Sequence, residues 1–137
     1  MATASKNQRY TEGIGRRKTA TARVRLTPDT TTTITINDRE YKDYFIHQAQ
    51  QETLTNVLAT PDLGIENYKI TAKVYGGGLS AQADAIKLGI ARALVKEKMD
   101  RRPTLKKVGL LKRDQRSVER KKFGLRKARK RPAWSKR

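Results

Sequence analysis

The amino-acid sequence predicts an α+β fold, a two-layer sandwich of a small mixed sheet and helices, followed by an extended C-terminal arm. Two observations predict the sandwich. Segments of period-two hydrophobicity alternate with segments of helical periodicity. Their order (strand, strand, helix, strand, helix) suits helices laid against one face of a small sheet. A third observation predicts the arm. Residues 101–137 carry seventeen Lys or Arg and two acids, Asp114 and Glu119, which is fifteen of the chain's nineteen net positive charges. Such a segment repels itself and has too few apolar residues to build a core.

The elements follow in order. Within residues 8–27, Ala20, Ala22, Val24 and Leu26 alternate with Thr19, Thr21, Arg23 and Arg25, the pattern of one half-buried strand with a cationic outer face. Pro28-Asp29 ends it. Residues 32–36 form a second strand with Ile34 and Ile36 inward. Asn37-Asp38 supplies a hairpin turn, after which residues 39–41 can pair back. Residues 43–59 read as a helix closed by Pro61, with Leu54, Val57 and Leu58 on one face. From Tyr68 to Tyr75 the alternation returns: Tyr68, Ile70, Ala72 and Val74 inward, Lys69, Thr71, Lys73 and Tyr75 outward. Gly76-Gly77-Gly78 then leads into the strongest helix, with Ser80 as N-cap and Ile86, Ile90, Ala93 and Leu94 as core stripe. Gly89 inside that helix costs about 1 kcal/mol against Ala, which points to close packing on a strand. Pro103 suits the first turn of a short helix ending at Gly109. These assignments divide the chain into a flexible N-terminus (1–9), a globular part (10–109) and the arm (110–137).

Composition excludes several functions. Without cysteine there is no disulfide framework, thiolate nucleophile or Cys-based zinc site. His47 is the only histidine and has no neighbours at metal-ligand spacing. No apolar run approaches a transmembrane length, and the first ten residues lack the apolar region of a signal peptide. The scattered apolar residues of the arm do not make an amphipathic membrane helix. The expectation is a cytosolic protein with no cofactor, no membrane and no small-molecule substrate.

Two glycine-rich stretches invite an enzyme reading and do not sustain it. Gly13-Ile14-Gly15-Arg16-Arg17-Lys18-Thr19 lacks the glycine that precedes the lysine of a P-loop and leads into a strand. Lys18 also stands where a dinucleotide fingerprint needs its third glycine. Gly76-Gly77-Gly78 lies between strand and helix, and its N–H groups suit either a tight turn or one phosphate; no Lys-Ser/Thr pair follows. Arg16, Arg17, Lys18, Arg23 and Arg25 put five cations on what reads as one strand, with no acid between Gly13 and Pro28. In the arm the candidate phosphate contacts are Arg113, Arg116, Arg120, Lys121, Lys122, Arg126, Lys127, Arg129, Lys130 and Arg131. Phe123 and Trp134 lie among these cations, as suits base stacking. The partner this chemistry fits is a nucleic acid, whose dense phosphates reward each cation with counterion release.

Three motifs in this order resemble the bacterial-type small-ribosomal-subunit protein nine family. They are GIGRRKTATARV from Gly13, GGGLSAQADAI from Gly76 continuing through Gly89-Ile90-Ala91-Arg92-Ala93-Leu94, and GLLKRD from Gly109 followed by ERKKFGLRKAR from Glu119 and the final Ser135-Lys136-Arg137. Ala81 stands where many members have Gly, and Phe123 where Tyr is common. The resemblance implies a non-enzymatic constituent of the small-subunit head, bound to small-subunit rRNA and to neighbouring head proteins. It implies a fold like the second domain of ribosomal protein five, with a left-handed βαβ crossover. It also implies that Ser135, Lys136 and Arg137 contact P-site tRNA. It fits a cytoplasmic ribosome and leaves a plastid-encoded origin open. The alternative from another class is a free nucleic-acid chaperone or DNA-architectural protein with a basic tail, which would have no need of three ordered motifs.

Overall fold

The computed structural model describes residues 9–61, 63 and 67–135. Residues 1–8, most of the expected N-terminal segment, lie outside it. Five strands form one mixed sheet: β1 (Thr11–Arg17), β2 (Ala20–Pro28), β3 (Thr33–Ile36), β4 (Arg39–Glu40) and β5 (Tyr68–Tyr75). Their spatial order is β1-β2-β5-β3-β4. All neighbours are antiparallel except β3 and β5, which run parallel. The helices are a single turn α1 (Tyr41–Tyr44), then α2 (Gln48–Leu58), α3 (Leu79–Glu97) and α4 (Arg102–Lys107).

The period-two residues of β2, β3 and β5 alternate between buried and exposed, because one face of the sheet is covered by helices and the other is open. Asn37 and Asp38 both take positive φ, 47° and 65°, as a two-residue turn of this kind demands. The Asn37 side chain locks the turn to β5: it donates to the Val74 carbonyl at 3.1 Å and accepts from the Val74 N–H at 2.9 Å.

Four sequence expectations change. The stretch read as one strand is a hairpin, β1 paired with β2 and turning at Lys18-Thr19. The helix expected over 43–59 is broken: Phe45 buries its ring completely, and the backbone at Phe45 and His47 is extended. Ser80 is not the N-cap of α3, which is Gly78; the Ser80 hydroxyl instead accepts from Gln50 at 3.2 Å and ties α2 to α3. Glu12, just before the acid-free stretch, belongs to β1 and pairs with its cations, as described below.

Helix α3 is the centre of the packing. Eleven of its nineteen residues are buried, wider than the expected stripe, because it lies against the sheet on one side and α2 on the other. Its approach to the β1–β2 hairpin needs three glycines. A Cβ on Gly15 would come within 1.8 Å of the Ala85 carbonyl oxygen, and one on Gly13 within 2.3 Å of the Gly89 oxygen. A Cβ on Gly89 would meet the Val24 side chain at 2.7 Å, which explains the glycine in mid-helix.

A 3₁₀ turn (Met99–Arg101) joins α3 to α4. There Arg101, only 5% exposed, donates to the Leu63 carbonyl at 2.9 Å, the Tyr68 hydroxyl at 3.3 Å and the Glu97 carboxylate at 2.7 Å. Helix α4 stops in a Schellman motif. Gly109 sits at φ 83°, its N–H reaches the Lys106 carbonyl, and the Leu110 N–H reaches that of Leu105. Leu110 and Leu111 pack half-buried against the core; from residue 112 to 135 there is neither helix nor strand.

Candidate nucleic-acid interface

The hairpin separates the five cations of its sequence into different environments. Alternation puts Arg16, Arg23 and Arg25 on the open face of the sheet. Glu12 stands in the same face and spans two of them, 2.5 Å from Arg23 Nε and 3.4 Å from Arg25 Nε. The hydrogen bond from Arg23 is the main reason its carboxyl is held below the usual carboxylate range. The Arg25 guanidinium also lies 4.7 Å from the centre of the Tyr10 ring. Arg17 has the opposite parity and turns under the sheet toward α3. Its side chain is 14% exposed, 3.6 Å from Asp84 and 3.2 Å from Asp114. It also donates to the backbone carbonyls of Asp114 and Arg116. Arg17 therefore links β1, α3 and the root of the arm.

Lys18 projects from the hairpin turn at φ 51° and is exposed. The turn lies against the glycine loop: a Cβ on Gly76 would fall 2.7 Å from the Thr19 oxygen, and one on Gly77 would fall 2.9 Å from the Ala20 Cβ. Gly76 and Gly77 take φ of 73° and 66°, and Gly78 caps α3 with no side-chain hydrogen bond to the first-turn amides. Lys18, the glycine loop and the positive end of α3 thus converge on one exposed corner, where one phosphate could bind.

In the arm, both acids are occupied. Asp114 accepts from Arg116 at 3.0 Å and from Arg17; the Arg116 hydrogen bonds hold its carboxyl far below the usual range. Glu119 pairs with Lys122 at 2.6 Å and Arg129 at 2.9 Å. Arg113, Arg120, Lys121, Arg126, Lys127, Lys130 and Arg131 are exposed and make no ion pair with any described residue. Phe123 and Trp134 are fully exposed and Ser135 is exposed; Lys136 and Arg137 lie outside the described residues. The arrangement offers a polyanion an open cationic sheet face, a phosphate-sized corner and a cationic strap with two bare aromatic rings.

A family model described as ribosomal protein S9/S16 matches residues 15–137. The chain belongs to that family. It is similar to the small ribosomal subunit protein uS9 of Synechococcus sp. (strain JA-3-3Ab), 54% identical over 140 residues that cover the whole of both chains. It is similar also to proteins of the same name from Mycobacterium bovis (strain BCG / Pasteur 1173P2) and Mycobacterium tuberculosis (strain ATCC 25618 / H37Rv). Each is 48% identical over 130 residues, 95% of this chain and 85% of theirs. A ribosomal S9/S16 protein is structural and non-enzymatic, and RNA binding and translation follow from that membership. The family match takes in the hairpin turn, the glycine loop and the whole arm.

The sequence did not single out Asp84 and Asp114 as the partners of Arg17. One signal was available for the second of them, since an acid in so cationic an arm has to be tolerated for a reason. No comparable signal marked Arg101, whose partners lie on residues 63, 68 and 97.

Proposed function

We propose that this chain is a structural constituent of the head of the small ribosomal subunit. In this reading it binds small-subunit rRNA through the cationic hairpin, the glycine loop and the arm, touches neighbouring head proteins, and contacts P-site tRNA with Ser135, Lys136 and Arg137. The supporting observation is the full-length similarity to proteins named small ribosomal subunit protein uS9, which continues through the arm to Arg137. The physical chemistry agrees. Eight arm cations, Lys112 among them, have no ion-pair partner among the described residues, and phosphate contacts of that number give tight, salt-sensitive binding by counterion release. Ordering so polar a segment costs conformational entropy, which those contacts offset. Its place of work is the ribosome, in the cytoplasm.

Sucrose-gradient sedimentation in physiological salt tests the reading, with co-migration with small subunits expected. Sedimentation solely as free protein or with chromosomal DNA would favour the free chaperone. Deletion of residues 135–137 tests the tRNA contact. Assembly should persist, because the proposed rRNA contacts lie upstream, while P-site tRNA affinity on purified subunits falls by about 1–3 kcal/mol, the scale of a few charged hydrogen bonds. Unchanged affinity and dissociation rate would remove the tail tip from the tRNA site.

A further inference from the structure

The open face of the sheet carries an arrangement that neither the fold nor the arm requires. Its cross-strand register places Arg16, Thr21 and Tyr75 in one row across β1, β2 and β5, and Ile14, Arg23 and Lys73 in the next. Lys73 stands directly opposite Arg23. Like charges in that position destabilise a sheet; Glu12 pairs with Arg23, while Lys73 has no ion-pair partner among the described residues. Tyr75 is 69% exposed, and its hydroxyl bonds to no described residue. Ile14, two strands away on β1 in the adjoining row, is 45% exposed. Between Arg16 and Tyr75 the side chain is the short Thr21, so the row is a shallow trough about 10 Å wide between its flanking strands. Arg16 stands at the β1 border, the Tyr75 ring at the β5 border, and Arg23 and Lys73 lie in the adjoining row.

We infer that this face is a binding surface for single-stranded RNA, with a base stacked on Tyr75 and the adjoining phosphates held by Lys73, Arg23 and Arg16. The inference rests on the ribosomal reading and adds to it a contact of a different kind from the phosphate-gripping arm. The features favour unpaired RNA over a duplex. The bases of an A-form helix are stacked on each other and cannot present a face to an aromatic ring, whereas a loop or bulge can splay a base onto one. An array made only to meet duplex phosphates has no use for an exposed tyrosine and isoleucine. Stacking of one base on such a ring alters affinity at least about fivefold.

Two measurements on the full chain test it. In the first, purified small subunits are irradiated with ultraviolet light, digested with nuclease and trypsin, and examined by mass spectrometry. A nucleotide adduct is expected on Tyr75 in the peptide Val74–Lys87, absent in the Tyr75→Leu protein, while arm adducts remain. In the second, a twelve-nucleotide single strand of mixed sequence is compared with the corresponding RNA duplex in 0.3 M salt, using wild-type and Tyr75→Leu protein. The variant should lose about fivefold or more on the single strand and keep its duplex affinity. Tyr75 is mostly exposed, so an unchanged melting temperature certifies the fold. An equal loss on both RNAs, or none on either, would overturn the inference. So would a protein crosslink at Tyr75 in place of the nucleotide. Arm adducts without a β5 adduct would defeat this inference alone; no RNA adduct anywhere on the chain would defeat the ribosomal reading along with it.

Discussion

Gly15→Ala is the sharpest test of how this chain packs. The added methyl would lie 1.8 Å from the Ala85 oxygen, 2.6 Å from the Gly89 nitrogen and 2.8 Å from the Ala85 carbonyl carbon. All three are backbone atoms of α3, so no side chain can swing aside, and β1 has to lift off the helix. Overpacking in a core costs about 1–3 kcal/mol, and a clash with helix backbone belongs at the upper end. For a domain of this size each kcal/mol is worth about 4–8 °C in Tm, so a loss of ~3 kcal/mol lowers Tm by roughly 12–24 °C. Thermal denaturation of the free full-length protein, followed by circular dichroism, reads this directly. The control is Gly78→Ala, where a Cβ meets nothing within 4 Å and φ is −99°; it forfeits only the preference for Gly over Ala at this N-cap, about 0.5–1 kcal/mol, so its Tm should fall by no more than about 8 °C. A Gly15→Ala protein that melts with the wild type would refute the close seating of β1 on α3. It would refute with it the geometry that turns Arg17 under the sheet.

Arg17→Ala removes the link from β1 to Asp84 and the arm root, so limited trypsinolysis of free protein should cut faster at Lys112 and Arg113; an unchanged rate would mean the root is held some other way. Arg101→Ala takes the buried guanidinium from the Tyr68 hydroxyl and the Leu63 carbonyl, leaves the Glu97 carboxylate only the hydrogen bond from Tyr68 among the described residues, and should cost about 3 kcal/mol in urea denaturation, against under 0.5 kcal/mol for the exposed Arg102→Ala. Burial, and next the hydrogen bond to Glu97, raise the Tyr68 phenol above its ordinary value. The folded state therefore keeps that proton to higher pH than the unfolded state. This contribution to stability is complete below about pH 10 and is lost as pH rises through the folded value. Between pH 9 and 11.5 the wild type should lose more stability than Tyr68→Phe, and parallel curves would rule the contribution out.

Much of the fold was legible because strands β2 and β5 bury one face and expose the other. Their hydrophobic alternation is a direct record of that asymmetry, and the turn at Asn37-Asp38 advertises its positive φ. Strand β1 was not legible as a separate strand. Its inward positions are Gly13 and Gly15, and the buried surface there is the backbone of α3, which leaves no apolar side chain to read. The break between α1 and α2 was equally silent, since Phe45 suits a helix by composition and leaves it only to reach the core. Among the candidate-site residues, the arm cations, Lys18 and the glycine loop could be nominated from charge and glycine content alone.

The sequence by itself determined the charge asymmetry, the periods of the main elements and, through three ordered motifs, the family. Those are local or one-dimensional properties that survive without any contact being known. Tertiary structure decided which cations are available. Arg16 and Arg17 are neighbours in the chain and identical in chemistry, yet β-strand parity sends one to the open face and the other to Asp84 and Asp114. Parity has that consequence only because α3 covers one side of the sheet, and α3 can do so only because Gly13 and Gly15 let strand backbone meet helix backbone and Gly89 leaves room for Val24.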